Sequence, residues 1–286
     1  MSCVSSTDHN TPENTPAVTR SDPSLSDLSL KVYVFDCGTI DSVTAEEFGF
    51  EHGAIPTQMT TPCYLIVHPR GVLLWDTGEI PDDEMEDRGK LTRKRTFTAS
   101  RKLGDQLREV GYSPGNIDYL AFSHYHNDHV ANANMFAGLT WLVQRAEREA
   151  MFDPNPDFER FGPVTPDQKL FSQLEDAPTL IIENCDHDVF GDGRVVIKFS
   201  PGHTAGHQSL FVDLENTGPI LITGDVYHYY EEVNRPANFV NHISNSLTSS
   251  SRVKLEALAK ATGADMWIPH DIRRGATFRK APEYYC

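Results

Sequence analysis

Ser123-His124-Tyr125-His126-Asn127-Asp128-His129-Val130 follows the apolar run at residues 117–122. Positions 124 to 129 hold three imidazoles and a carboxylate. A single histidine on an apolar face is ordinarily a satisfied core residue. Four metal-competent side chains crowded together would instead repel one another once protonated. Neutral imidazole nitrogen and carboxylate oxygen are the ligands that borderline cations such as zinc take. In an extended or tightly turning segment alternate residues point the same way, so His124 and His126 can grip one ion. Asp128 and His129 lie a turn further along and can face a second.

Three more ligand types stand at strand ends. Phe199-Ser200-Pro201-Gly202-His203-Thr204-Ala205-Gly206-His207 sets a histidine in a glycine-flanked turn, Leu221-Ile222-Thr223-Gly224-Asp225 an aspartate, and Met266-Trp267-Ile268-Pro269-His270-Asp271 another histidine. Singly, each has a dull explanation as a turn residue or a lone histidine. Together they complete a set. Two four- or five-coordinate cations need about six or seven protein ligands when water fills the open positions. His124, His126, His203, Asp128, His129, His270 and a bridging Asp225 make seven.

The surrounding pattern predicts how these turns are carried. Alternation predicts strands at 30–35, 63–68, 72–75 and 117–122, a short one at 141–143, and a second batch at 179–183, 194–199, 208–212, 220–223 and 266–268. Helices are expected at 99–110, from about 129, at 144–152 and at 250–262, the last with Val253, Leu255, Leu258 and Ala261 apolar and Gly263 as its stop. Strands in two batches, each followed by helices, suggest two sheets face to face with helices outside, a four-layer αββα sandwich. Residues 38–62 lack a clean period and read as a substrate-facing flap carrying Phe48, Phe50, Ile55 and Met59. Residues 153–173 are Pro-rich and irregular.

Bulk properties bound the rest. The chain has 286 residues, 39% of them hydrophobic, enough for one large core. Residues 1–28, rich in Ser, Thr, Pro, Asn and Asp, read as a disordered or loosely draped tail, and 29–286 as a single domain. A formal charge of −16 argues against a nucleic-acid partner. No apolar run approaches membrane-spanning length, and no secretory signal opens the chain. The basic island at 90–102, with Arg93, Lys94, Arg95 and Arg101, reads as a solvated helix start. Five widely spaced cysteines without a CxxC pair suggest free thiols and a cytoplasmic location. Oligomeric state is left open.

The run HxHxDH followed by H, D and H at strand ends resembles the metallo-β-lactamase superfamily. That resemblance implies a dinuclear site at the sheet edges. The first metal would take His124, His126 and His203, the second Asp128, His129 and His270, with Asp225 between them. Pro62-Cys63-Tyr64-Leu65-Ile66, Leu74-Trp75-Asp76-Thr77-Gly78 and Gly202-His203-Thr204-Ala205-Gly206-His207-Gln208-Ser209 look most like the N-acyl homoserine lactone lactonase branch. Asp76 and His207 would then orient the ligands. Those lactonases carry a tyrosine three residues after the bridging aspartate; here His228 stands there, flanked by Tyr227, Tyr229 and Tyr230. Either a register shift lets Tyr227 or Tyr229 serve, or His228 donates, or the substrate is not a simple lactone.

The expected chemistry is hydrolysis of a small cyclic ester by a hydroxide bridging two divalent ions, zinc before iron, manganese or cobalt. Asp128 would shuttle the proton to the leaving group. His228 or Tyr227 would donate to the oxyanion. No GxSxG elbow competes. The aromatic and apolar residues of 38–62 and 227–239 suggest an uncharged, partly apolar small molecule. The alternatives are ring opening of a lactam or cyclic carbamate, as in detoxification of a xenobiotic, and glyoxalase-II-like thioester hydrolysis. For the thioester, Arg273, Arg274, Arg279 and Lys280 would hold an anionic thiol cofactor. A metal-dependent ligand-binding protein without turnover is the non-enzyme alternative; it would show missing ligands, and none is missing.

Overall fold

Alternating apolar residues build the first sheet. In the computed structural model, which describes residues 29–85, 91–93, 97–153 and 166–286, β1 (Lys31–Asp41), β2 (Gln58–His68) and β3 (Gly71–Trp75) pair antiparallel. β4 (Leu91–Arg93) and β5 (Phe97–Ala99) extend one edge beyond β1. On the other side β6 (Tyr119–Ala121), β7 (Thr140–Gln144) and β8 (Thr179–Ile182) follow β3 in parallel. The second sheet runs β13–β12–β11–β10–β9, from β9 (His187–Asp188), β10 (Val195–Phe199), β11 (Gln208–Leu214), β12 (Gly218–Ile222) and β13 (Asp265–Trp267). β12 and β13 are parallel, the others antiparallel, so both sheets are mixed.

Neighbouring residues on one strand enter different cores, because side chains alternate across a sheet. Tyr64 and Ile66 of β2, with Val32, Val34, Leu73 and Trp75, meet Ile197, Leu210, Val212, Ile220 and Ile222 between the sheets. Leu65 and Val67 face the other way, onto Leu103 and Leu107 of α1 (Leu103–Glu109) and Ala150 and Met151 of α3 (Arg145–Phe152). Leu221 packs outward against Leu255 of the long helix Asn245–Thr262. Helix, sheet, sheet, helix is the four-layer αββα order expected.

Several boundaries differ from the sequence reading. The helix expected at 99–110 begins only at Leu103, because Ala99 ends β5. Asp82 caps it from a distance, accepting the N–H groups of Leu103 at 2.8 Å and Gly104 at 2.7 Å. The helix expected from about 129 is the single turn α2 (Asn127–Val130). Much of the flap is not a flap: β1 continues to Asp41 past a bulge after Asp36, and β2 starts at Gln58. The long helix begins at Asn245, five residues early, because Ser244 caps it by accepting the Leu247 N–H. The tail at 1–28, Lys90 and 94–96 of the basic island, and 154–165 of the Pro-rich stretch lie outside the described residues.

Free thiols are not the rule. Cys37 and Cys63 are disulfide-bonded between the adjacent strands β1 and β2, their Cα atoms 6.1 Å apart. Spacing along the chain said nothing of this, since strand pairing closes the 26-residue separation. Cys286 keeps a free thiol. The thiol argument for a reducing compartment therefore loses its basis. Among the described residues no helix is long and apolar enough to cross a membrane.

Not every apolar residue of the long helix is covered: Val253 and Ala261 are exposed. Val253 is 66% exposed, whereas Leu255 is 3% exposed on the second sheet. Leu255→Ala is expected to lower unfolding free energy by about 2 kcal/mol, the low end for a buried leucine because a covering helix can settle inward. Val253→Ala should stay within about 0.5 kcal/mol. Urea unfolding of the two variants checks the pair.

Candidate metal centre

Strand ends from both sheets deliver the site. Beyond β6, Ser123 donates its N–H to Asp76 Oδ1 at 2.7 Å and accepts the Gln208 N–H at 2.9 Å, which links the turn of 123–129 to both sheets. Beyond β10, the turn holding His203 is closed by Ser200 N–H to His207 O (3.0 Å) and Gly202 N–H to Thr204 O (2.9 Å). Gly202 has φ +135°, and a Cβ there would lie 2.2 Å from Thr248 N. Only glycine lets this turn press against the long helix. Asp225 follows β12 and His270 follows β13, whose ring Nδ1–H donates to Thr60 O at 2.8 Å.

These turns bring all seven expected ligands together in two groups of four that share Asp225. His124, His126, His203 and Asp225 form one; Asp128, His129, Asp225 and His270 form the other, with ligand atoms in each group within 4.8 Å of one another. Asp225 Oδ2 lies 3.3 Å from His203 Nε2, and its Oδ1 lies 3.0 Å from His270 Nε2 and 3.3 Å from His129 Nε2. One carboxylate thus turns an oxygen to each group. Asp128 Oδ2 sits 3.3 Å from His270 Nε2.

The donors fit cations. His203 Nε2 stands 3.1 Å from His124 Nε2 and 2.9 Å from His126 Nδ1, three ring nitrogens aimed at one point. Protons cannot satisfy all three, since each shared proton serves one pair. His129 Nε2 and Asp225 Oδ1 are buried without a hydrogen-bond partner, a costly state that a cation between them would relieve. Burial holds His124 and His203 well below the usual histidine range and His126 down to about 4, which leaves neutral imidazoles. Burial alone would raise the Asp225 carboxyl; His270 and His129 instead hold it well below its usual range.

Groups behind the ligands fix them. Asp76 Oδ2 lies 3.1 Å from His129 Nδ1, and His207 Nε2 accepts the Asp225 N–H at 3.0 Å. Glu147, at the start of α3, was invisible in the sequence. Its carboxylate accepts the N–H of Tyr125 (2.8 Å), the hydroxyl of Thr204 (2.8 Å) and the N–H of Gly206 (2.8 Å), binding the two ligand turns to one another. A Cβ on Gly206 would come within 2.3 Å of Glu147 N. No spacing rule marks a glutamate inside a helix as such a clamp.

Of the candidates after Asp225, only His228 faces the site. Its Nε2 is 3.4 Å from Asp225 Oδ2. Burial would lower His228, but Asp225 and Glu232 raise it to about 9. Tyr227, expected as an alternative donor, turns away: it packs with Leu221, Val226, Leu255 and Ile268, and its hydroxyl donates to Glu256 Oε1 at 2.7 Å. Tyr229 donates to Pro56 O at 3.2 Å and Tyr230 to Met266 O at 2.7 Å. Just past the 3₁₀ turn at 224–226 the backbone is extended at Tyr227 (φ −136°, ψ 142°), which sends successive side chains to opposite faces.

A cavity of about 380 Å³ opens onto both groups. Ile40, Val43, Phe48, Met59, Phe97 and Phe239 give it apolar walls, and Asp41, Glu47 and Glu79 add acid groups. Phe48 stacks on Phe239 with ring centroids 4.4 Å apart. Ile55 supports Phe48 and Met59 from behind, and Phe50 lies beneath Arg235 instead. Among the described residues no Lys or Arg lines the cavity. Arg273 is paired with Glu231 and Asp271, Arg274 stacks over Trp267, Arg279 over Tyr285 and Lys280 over Phe278. The basic cluster expected to hold an anionic thiol cofactor is therefore employed elsewhere.

A family profile described as the metallo-beta-lactamase superfamily matches residues 56–266, which carry six of the seven ligands and the strands from β2 to β12. The chain belongs to the metallo-β-lactamase superfamily. Among its relatives, the N-acyl homoserine lactonase AttM of Rhizobium johnstonii is 31% identical over 90% of this chain and 98% of its own. The N-acyl homoserine lactonase AiiA of Bacillus thuringiensis subsp. kurstaki is 28% identical over 78% and 85%. A solved N-acyl homoserine lactone hydrolase, with the product N-hexanoyl-L-homoserine at its catalytic metal center, superposes with a TM-score of 0.71, at 26% identity, over 90% of this chain and 99% of that one. The superfamily, the fold and the hydrolase class expected from the sequence agree with these relatives.

Proposed function

We propose that this superfamily member opens the ring of a small, uncharged, partly apolar lactone, using two divalent ions, zinc foremost. The observation that carries the reading is the pair of four-residue groups sharing one carboxylate, Asp225. The lactonase names of the relatives support the ester over other rings. Held by these residues, two such ions would supply hydroxide at neutral pH and Lewis acidity toward the scissile carbonyl.

The chain's own residues supply the rest. Phe48, Met59 and Phe239 hold the apolar part of the substrate against the site. His228 donates Nε2–H to the carbonyl oxygen as negative charge develops there. Asp128, half-buried on the cavity wall, carries a proton to the leaving oxygen. The acid groups Asp41, Glu47 and Glu79 disfavour an anionic thioester and repel the carboxylate product.

A second reading is kept for one observation, the imidazole of His228 where the lactonase pattern has a phenol. Without that phenol the lactone pattern is incomplete, and the same site serves an amide leaving group as well as an alkoxide, so ring opening of a lactam or cyclic carbamate is the second reading. Zinc-reconstituted protein assayed on a γ-lactone series and the matching lactams separates the readings. Faster turnover of lactones supports the first and of lactams the second. Tight binding with no ring opening of either would overturn both in favour of a binding protein.

A further inference from the structure

The ligand histidines differ in what holds their outward nitrogens. His124 Nδ1 faces Ser123 Oγ at 3.1 Å, His129 Nδ1 faces the Asp76 carboxylate at 3.1 Å, and His270 Nδ1 faces Thr60 O at 2.8 Å. His203 alone turns to another imidazole, its Nδ1 2.9 Å from His242 Nδ1. With Nε2 turned toward His124 and His126 and serving as a ligand, the proton of His203 belongs on Nδ1 and is donated outward. His242 must then present a bare Nδ1 and carry its own proton on Nε2. That Nε2 is buried without a hydrogen-bond partner, and His242 is 6% exposed. Such an arrangement sacrifices one hydrogen bond to keep an acceptor in place.

The contact is built in rather than incidental. The backbone of 242–244 is stitched to the His203 turn, Ile243 N–H donating to His203 O at 3.2 Å and Ser244 N–H to Gly202 O at 2.9 Å. The His242 ring stands at 90° to His203 with centroids 5.0 Å apart, and at 84° to Phe239 on the cavity wall. Ser244 is also the cap of the long helix, so that helix's start fixes where His242 lies.

We infer that His242 is a positioning residue for the first ion, holding His203 in the tautomer and orientation that aim Nε2 at it. The inference rests on His203 being a ligand. It makes the two positions unequal, because a neutral imidazole accepts less strongly than the Asp76 carboxylate behind His129. Loss of an outer hydrogen-bond partner ordinarily weakens metal affinity about 10–100-fold.

The experiment titrates full-length apo-protein with zinc against a chelator of known affinity and reads two stepwise constants. His242→Leu should weaken one of them about 10–100-fold and leave the other unchanged. His242→Asn places Oδ1 where Nδ1 was and should bind within about threefold of the parent, as conserved acceptor geometry requires. His242→Phe, also without an acceptor, replaces the leucine variant should that fail to fold. Unchanged constants in the acceptor-free variant, equal weakening of both ions, or an asparagine variant no better than leucine would each overturn the inference. His203→Ala is the reference: it should lose one ion, and retention of both would refute the ligand reading on which the inference stands.

Discussion

His228→Ala is expected to lower kcat about 10²–10³-fold while KM stays near that of the parent and both ions remain bound. His228 belongs to neither four-residue group, so its loss removes a donor and no ligand. Its ring is fully enclosed, 4.9 Å from Phe48 and 4.5 Å from Phe239 between centroids, and so is held before substrate arrives. A donor held in advance stabilises developing charge without reorganising, which is why one such group commands so large a factor. Steady-state kinetics with metal analysis on the same sample checks it. Tyr227→Phe is the control and should be nearly silent in kcat, because that hydroxyl is engaged with Glu256. Unaltered turnover in the His228 variant would show that the charge is met by another group.

Glu232→Ala should cost about 3–5 kcal/mol of folding stability, since it leaves a buried guanidinium without its counter-ion. Glu232 Oε1 accepts from Arg252 at 2.5 Å, and the two side chains are 3% and 2% exposed. The other oxygen accepts the N–H groups of His228 at 2.5 Å and Tyr229 at 2.9 Å, so the same substitution loosens the turn carrying His228. Glu232→Ala combined with Arg252→Met should be less destabilised than the sum of the single changes, because no lone charge stays buried. Burial would raise the Glu232 carboxyl, but His228 and Arg252 hold it down at about 2 against an ordinary 4.5. A depressed carboxyl stabilises the fold fully above its unfolded value and loses that contribution as pH falls through about 2. Acid unfolding of the parent should therefore steepen between these values, and the alanine variant should lack that increment. Equal denaturant midpoints for parent and Glu232→Ala would remove the pair from the account.

Much of the fold and the convergence of the seven candidate ligands were legible because both are written locally. Period-two alternation marks Val32, Val34, Tyr64 and Ile66 for one face, and Gly-His or Gly-Asp after such a run marks a strand-end turn. What stayed hidden depends on pairing across long separations. Glu147 reaches Tyr125 and Gly206 from inside a helix, and His242 reaches His203 from an irregular loop. Cys37 meets Cys63 only once β1 lies beside β2. Tyr227 and His228 were indistinguishable as neighbours; the extended backbone after the turn at 224–226, not their chemistry, sends one to the helix and the other to the cavity. Apolar type alone did not say which residues of the long helix are covered: Leu255 meets the second sheet, whereas Val253 points to solvent.

Ring opening followed as zinc is added back to apo-protein tests the shared-carboxylate centre most directly. Turnover should climb until two equivalents per chain are bound and then level off. A plateau at one equivalent, or full activity without metal, would contradict it.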